Sequence, residues 1–184
     1  YIAPMRIYVE EHYTRAAPGG VGFAKAAGNY GAAMLATAEA KKKGYDQVLW
    51  TDAFEHKFVQ EIGTMNVFFV MGKKIITPDL ESGTILAGVT RDSAITVLKE
   101  MGYSIEERPL SIDEVIKAFE AGHLQEVFGT GTAATISMIR ELKYKEFVMR
   151  FNTEECKVSL ELKRNLDAIR EGKVADNHGW MYNI

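Results

Sequence analysis

Cysteine is almost missing. Cys156 is the only one in 184 residues, so neither an internal disulfide nor a thiolate metal cluster can form, and a reducing compartment is the expected setting. A lone thiol of this kind ordinarily serves as a small apolar side chain. Histidine is scarce as well, and His12, His56, His123 and His178 show no metal-ligand spacing. Positive charge is not in excess: 22 Lys and Arg stand against 25 Asp and Glu, a net charge of -3. With no basic stripe, this argues against nucleic acid or an anionic membrane as the main partner. No apolar run approaches the ~20 residues that a membrane-spanning helix needs, and no signal peptide is evident. The expectation is a cytoplasmic protein. Repeats, low-complexity tracts and linkers are also lacking, so the apolar 47% of the chain is expected to form the core of a single domain. An initiator methionine is lacking too. The chain enters at once into the strand-like YIAPMRIYVEEHYTRA, and a fragment or excised domain is expected. The closing NHGWMYNI carries aromatic residues expected to dock rather than fray.

What is present alternates between helix and strand signals. Ala, Met, Leu and Glu recur at helical spacing over 29–43, with lysines in the last turn and Gly44 as terminator. DQVLWTD and KFVQEIGTMNVFFVMGKKIITPD read as short strands, with a hairpin turn at Met71, Gly72 and Lys73. A second helix is predicted over 90–101, entered from LAGV and stopped by Gly102. Strand SIEERPL meets SIDE, where Ser111 and Glu114 have capping-box spacing for a helix through Ala121. Strands LQEVF, ATISMIR and EFVMRF follow, then a helix from about Glu155 to Arg170. The fold class expected is α/β, with mixed strand directions.

The chemically suggestive stretch is GGVGFAKAAGNYG, where one lysine, Lys25, stands just before the first helix. A lysine amine forms an imine with an aldehyde and, once released, carries protons. Near neutral pH this requires desolvation or a nearby cation, and the small and apolar neighbours Phe23, Ala24, Ala26 and Ala27 predict a dry position. Taken alone, Lys25 would be an ordinary surface lysine, Tyr30 a half-buried aromatic, Glu61 an exposed strand residue, and Thr64 and Thr132 turn hydroxyls.

Their order changes the reading. Lys25, AAGNYG, QEIGTMNVFF, LAGVTRD and GTGTAATI follow one another along the chain. In this the sequence resembles the C-terminal, large domain of the branched-chain amino acid aminotransferases, fold-type IV enzymes that use pyridoxal 5'-phosphate (PLP). The resemblance runs from the first strand to GWMYNI. It implies a mixed sheet curled into a pseudo-barrel with flanking helices. It also implies the transamination of leucine, isoleucine and valine with 2-oxoglutarate, giving branched-chain 2-oxo acids and glutamate, in a homodimer. By position, Lys25 matches the Schiff-base lysine, Tyr30 the tyrosine that bonds the cofactor's phenolic oxygen, and Glu61 the carboxylate facing the pyridine nitrogen. An anion there keeps the nitrogen protonated and the ring an electron sink. Val89 and Thr90, opening a helix, match the phosphate cradle, which suits an anion on physical grounds. Thr132 matches a phosphate-side threonine, the turn of Thr132, Ala133 and Ala134 the donors to the substrate carboxylate, and Thr64 a threonine beside cofactor and substrate. Asn66 belongs to the motif without an implied role. The family's small N-terminal domain, which supplies an arginine to the phosphate, has no matching segment, and Arg15 does not take that role. The CxxC pair of some eukaryotic relatives is replaced by Ala134 and Ser137.

Three other readings compete. D-amino acid aminotransferases and aminodeoxychorismate lyases share the lysine and glutamate but match KAAGNYG and EIGTMNVFF less well. GTGTAA satisfies G-x-G-x-x-A after a predicted strand, with Glu154 or Glu155 about twenty residues on, which would suit a NAD-dependent dehydrogenase. The β-branched TISMIREL that follows is not the helix such a fingerprint needs. A non-catalytic module would leave Lys25, Tyr30 and Glu61 unexplained.

Overall fold

The run NVFFV is buried at every position, as expected for a strand covered on both faces. The computed structural model describes residues 3–182. Within them the chain runs β1 (Met5–Val9), α1 (Ala27–Lys42), β2 (Gln47–Thr51), β3 (Val59–Ile62), β4 (Met65–Met71), β5 (Lys74–Thr77), α2 (Val89–Glu100) and β6 (Ser104–Glu107). It continues through α3 (Ile112–Glu120), β7 (Glu126–Gly131), β8 (Thr135–Tyr144), β9 (Phe147–Arg150), a 3-10 turn (Thr153–Glu155) and α4 (Lys157–Arg170). The strand order β3-β2-β1-β8-β7-β4, with β3 also paired to β4, closes a barrel of six strands. β1 lies parallel to β2 and β8, while β2–β3, β3–β4, β4–β7 and β7–β8 are antiparallel. The sheet is mixed and curled, as expected from the sequence.

Alternation along β4 sorts the core. Val67 and Phe69 belong to a cluster with Ile7, Leu49, Ile62, Ile139 and Leu142 of the barrel strands, joined by Ile112 and Val115 of α3. Phe68 and Val70 face the other way, into a cluster with Ala94 and Leu98 of α2 and Leu162 and Leu166 of α4. Phe68 stacks on Phe128 with ring centroids 5.1 Å apart. α1 packs on β2 through small residues, Ala36 and Ala40 lying over Val48 and Trp50. It ends as predicted, with Lys41 and Lys42 in the last turn and Gly44 at φ 85°, a conformation that favours glycine.

Some local expectations shift. The capping box of α3 is half formed: Ser111 Oγ accepts from the Glu114 N–H at 3.1 Å, while the Glu114 carboxylate turns to Arg108. α4 starts at Lys157, after the 3-10 turn. Cys156, at its entrance, is buried, and burial, reinforced by Glu126, pushes its thiol up to about 11, as suits an inert apolar side chain. The closing aromatics do not dock as expected. Trp180, Met181 and Tyr182 are exposed, because Trp180 stacks on His178 rather than entering the core; Asn183 and Ile184 lie outside the described residues. Among the described residues, no helix is long and apolar enough to cross a membrane, and no group of three His, Cys, Asp or Glu could hold a metal ion.

Candidate active site

The candidate residues come from separate elements that meet at one end of the barrel. Lys25 lies in the turn just ahead of α1. That turn is held from two sides. Asn29 Nδ2 donates to the carbonyls of Val21 and Ala24 at 2.9 and 3.0 Å. Gly22 is pressed so closely on Ala16 and Thr84 that a Cβ would fall 2.6–2.7 Å from their atoms, so any side chain there would displace the segment carrying the lysine. Contrary to the dry environment expected, Lys25 is exposed. Its neighbour Phe23 is itself 60% exposed, and the glycines before it offer no side chain to cover the amine.

Glu61 and Asn66 face each other across the two-residue turn Gly63-Thr64 that joins β3 to β4. Gly63 has φ 57° and a backbone pressed on Gln47, so the turn is specified by the absence of a side chain. Thr64 is exposed at its tip. Asn66 is in register with Thr130 of β7, which extends a polar row across three strands. On β7, Gly129 and Gly131 leave room for the Met65 side chain, whose atoms would lie 3.1–3.2 Å from an added Cβ at either position. The glycines read as a dinucleotide fingerprint therefore serve sheet packing, and β8 follows antiparallel where that reading needs a helix. Thr132, Ala133 and Ala134 form the intervening turn. It ends at Thr135, a non-glycine residue at φ 54° whose hydroxyl accepts from Arg170 Nη1 at 3.0 Å.

These elements enclose a cavity of about 460 Å³ lined by Lys25, Tyr30, Thr64, Val89, Thr90 and the 132–134 turn. Glu61 is not in that lining. It borders an adjoining cavity of about 330 Å³, together with Arg15 and Asn29, and the two cavities share Tyr30, Thr64 and Leu86. Far from being exposed, Glu61 is only 3% accessible. Burial pushes its carboxyl up to about 6, against the opposing pull of Arg15 and of the Leu86 N–H. The Arg15 Nε lies 3.2 Å from Glu61 Oε2, a charge contact without a well-aligned hydrogen bond. Arg15 is further tied to the carbonyls of Gly22 and Thr84. Leu86 N–H donates to Glu61 Oε1 at 2.8 Å.

The sequence did not single out Arg15, Asn29 or Asn66 for these positions. For Arg15 and Glu61 the only local signal is an isolated charge beside apolar residues, and their meeting is a long-range result of barrel closure.

The donor set suits the phosphate-bearing aldehyde that the motif order implies. α2 begins at Gly88 with no side-chain cap, so its first N–H groups have no competing side chain. A buried Thr130 hydroxyl without a partner lines the same cavity as the exposed lysine.

Residues 12–142 match the model of the family described as amino-transferase class IV. The chain is 49% identical over 181 residues to a probable branched-chain-amino-acid aminotransferase of Staphylococcus epidermidis, covering 97% of this chain and 50% of that protein. It superposes on the branched-chain amino acid aminotransferase of Escherichia coli with a TM-score of 0.81 at 28% identity, over 98% of this chain and 57% of that one. The PLP-form enzyme of Thermobaculum terrenum gives a TM-score of 0.78 at 28% identity, over 94% and 52%. The chain thus spans about half the length of the curated relatives it matches. Because the matched segment spans the lysine turn, the Glu61 hairpin, the start of α2 and the 132–134 turn, the chain belongs to the amino-transferase class IV family.

Proposed function

We propose that this chain is the C-terminal, PLP-binding, lysine-bearing domain of a branched-chain amino acid aminotransferase. That enzyme exchanges the amino group of leucine, isoleucine or valine with 2-oxoglutarate. The supporting observation is the convergence of an exposed amine, a helix N-terminus and the 132–134 turn on one cavity, with a buried carboxylate adjoining it. Names of relatives at 44–49% identity support the substrate class. In the complete enzyme, a cytoplasmic homodimer, a further small domain would roof this site.

When bound, PLP supplies the electron sink that makes the substrate's α-proton removable. The rest falls to the chain's own residues. Lys25 would hold the cofactor through its Nζ, and the same amine, when free, would serve as the base that takes up and returns the substrate's α-proton. Glu61, charged above about pH 6, keeps the ring nitrogen protonated, and Arg15 keeps Glu61 charged. Tyr30 orients the phenolic oxygen through its hydroxyl. The N–H groups of Val89 and Thr90 and the Thr132 hydroxyl bind the phosphate. The backbone of the 132–134 turn binds the substrate carboxylate, and Thr64 lies beside cofactor and substrate.

Single-turnover mixing of the PLP-loaded chain with L-leucine should yield pyridoxamine phosphate and 4-methyl-2-oxopentanoate, and 2-oxoglutarate should reverse the cofactor change. Conversion by D-alanine with L-leucine inert would instead point to a D-amino acid aminotransferase and overturn the reading.

A further inference from the structure

We propose that Asn66 is a positioning residue for the cofactor's phosphate: by holding the Leu86 carbonyl, it fixes the loop from which Gly88, Val89 and Thr90 open α2. The inference rests on reading the start of α2 as the phosphate cradle.

The geometry is a bracket. Glu61 and Asn66 are directly opposed across the β3–β4 turn, so both side chains reach the same side. Glu61 Oε1 accepts from the Leu86 N–H at 2.8 Å, and Asn66 Nδ2 donates to the Leu86 carbonyl at 2.9 Å. One cross-strand pair therefore holds both backbone polar groups of a single residue, two positions before the N-cap Gly88. That N-cap also abuts Asn66: a Cβ at Gly88 would fall 2.2 Å from Asn66 Oδ1, so any side chain there would displace the Asn66 amide.

α2 has no side-chain cap of its own; Arg91 ties its first turn to the Pro78 carbonyl and to Glu107, and the bracket holds the loop that leads into the N-cap. Asn66 is 6% exposed and lines the same cavity as Val89 and Thr90. Without its amide, the Leu86 carbonyl loses a buried donor, the wall against Gly88 disappears, and the loop keeps only the Glu61 arm of the bracket. Anion binding at a helix N-terminus depends on several N–H groups converging on one point, so the loss falls on the phosphate. The aldehyde, served by Lys25, and the ring nitrogen, served by Glu61, are spared.

Comparing PLP with pyridoxal, which lacks the phosphate, isolates that end. Equilibrium titration of the chain with each should show Asn66→Ala weakening PLP by about tenfold and pyridoxal by less than about twofold. Asn66→Leu, which keeps the volume and removes the donor, should give the same contrast. The phosphorus NMR line of bound PLP should move toward the free value in either variant. A merely structural Asn66 would lower the melting temperature and weaken both ligands alike, which would overturn the proposal alone. An unsubstituted chain that binds PLP no better than pyridoxal would overturn the cradle reading itself, and the proposal with it.

Discussion

Burying a carboxylate is costly unless its charge is compensated, and Glu61 is compensated only in part. The Arg15 guanidinium and one backbone N–H pull its proton affinity down, but burial outweighs them and leaves it near 6. Because the folded value lies above the ordinary 4.5 of a glutamate, the native chain binds this proton more tightly than the unfolded one. The stabilisation is complete below pH 4.5 and is lost as pH rises through about 6, a total of about 2 kcal/mol. Urea unfolding from pH 4 to 8 should show this slope in the unsubstituted chain, and Glu61→Gln should flatten it; an unchanged slope would mean that Glu61 is not the group concerned. Removing Arg15 acts in the opposite sense on the charge. Arg15→Met should shift the acid limb of the L-leucine half-reaction to higher pH, since Glu61 then ionises later. It should also cost about 3 kcal/mol in stability, as expected when one partner of a buried pair is deleted. Lys25 differs from both: it is exposed and holds up no part of the core. Lys25→Ala should abolish transfer and borohydride labelling by PLP, with the unfolding midpoint unchanged. Label retained on any other lysine would refute its role.

At the scale of elements, α4 shows how a helix can be anchored by a residue far away in sequence. Its N-terminus is capped by no neighbour. Glu126 of β7, itself buried, accepts from the N–H groups of Val158 and Ser159 at 2.8 and 2.9 Å and from the Ser159 hydroxyl at 2.8 Å. A carboxylate there meets both the unpaired donors and the positive end of the helix. Glu126→Ala should cost about 3 kcal/mol in urea unfolding, and Glu126→Gln less. Because the far end of α4 holds Thr135 through Arg170, hydrogen exchange in the 132–134 turn should quicken in the same variants. The arrangement explains what could be read in advance and what could not. Apolar alternation made the strands legible. Alanine content, terminal lysines and Gly44 did the same for α1, and the motif order grouped the side chains that share the 460 Å³ cavity with Glu61, which borders the adjoining one instead. Closure of β3 on β4 could not be read, because it depends on register between strands that meet only in the folded barrel. For the same reason the Arg15–Glu61 contact, the Glu126 cap and the Asn66–Leu86 bond were invisible: each joins residues 20 or more apart. The exposure of Lys25 was misread because small neighbours suggest close packing only where something lies over them.

Seen whole, the molecule has a complete core and an uncovered rim. The interior clusters pack the barrel, α2, α3 and α4 fully, whereas α1 buries little beyond Asn29, Ala36 and Ala40. Large apolar side chains remain in water around the site: Phe23, Met34 and Leu35 on the lysine turn and α1, and Val89, 82% exposed, at the start of α2. Met34 and Val89 also border the two cavities, so the rim adjoins the site. Covering a side chain of this size gains about 1.5–3 kcal/mol, and a cluster of them is an invitation to association. A chain with its own core should unfold cooperatively as a monomer at low concentration, yet light scattering should show concentration-dependent association as it rises. Replacing Met34 and Leu35 with lysine should suppress that association without lowering the unfolding midpoint, because neither contributes to the interior. The same uncovered rim bears on the cofactor. With water reaching Lys25 and, among the described residues, backbone donors and a threonine at the proposed phosphate site, PLP should bind this chain more weakly than it binds the complete enzyme of which the chain is proposed to be one half. A charge-assisted contact from the rest of that enzyme would add about 1.5–3 kcal/mol, on the order of a tenfold to hundredfold difference in affinity. Equilibrium titration of the two side by side measures it directly, and equal affinities would show that everything PLP needs already lies within these residues.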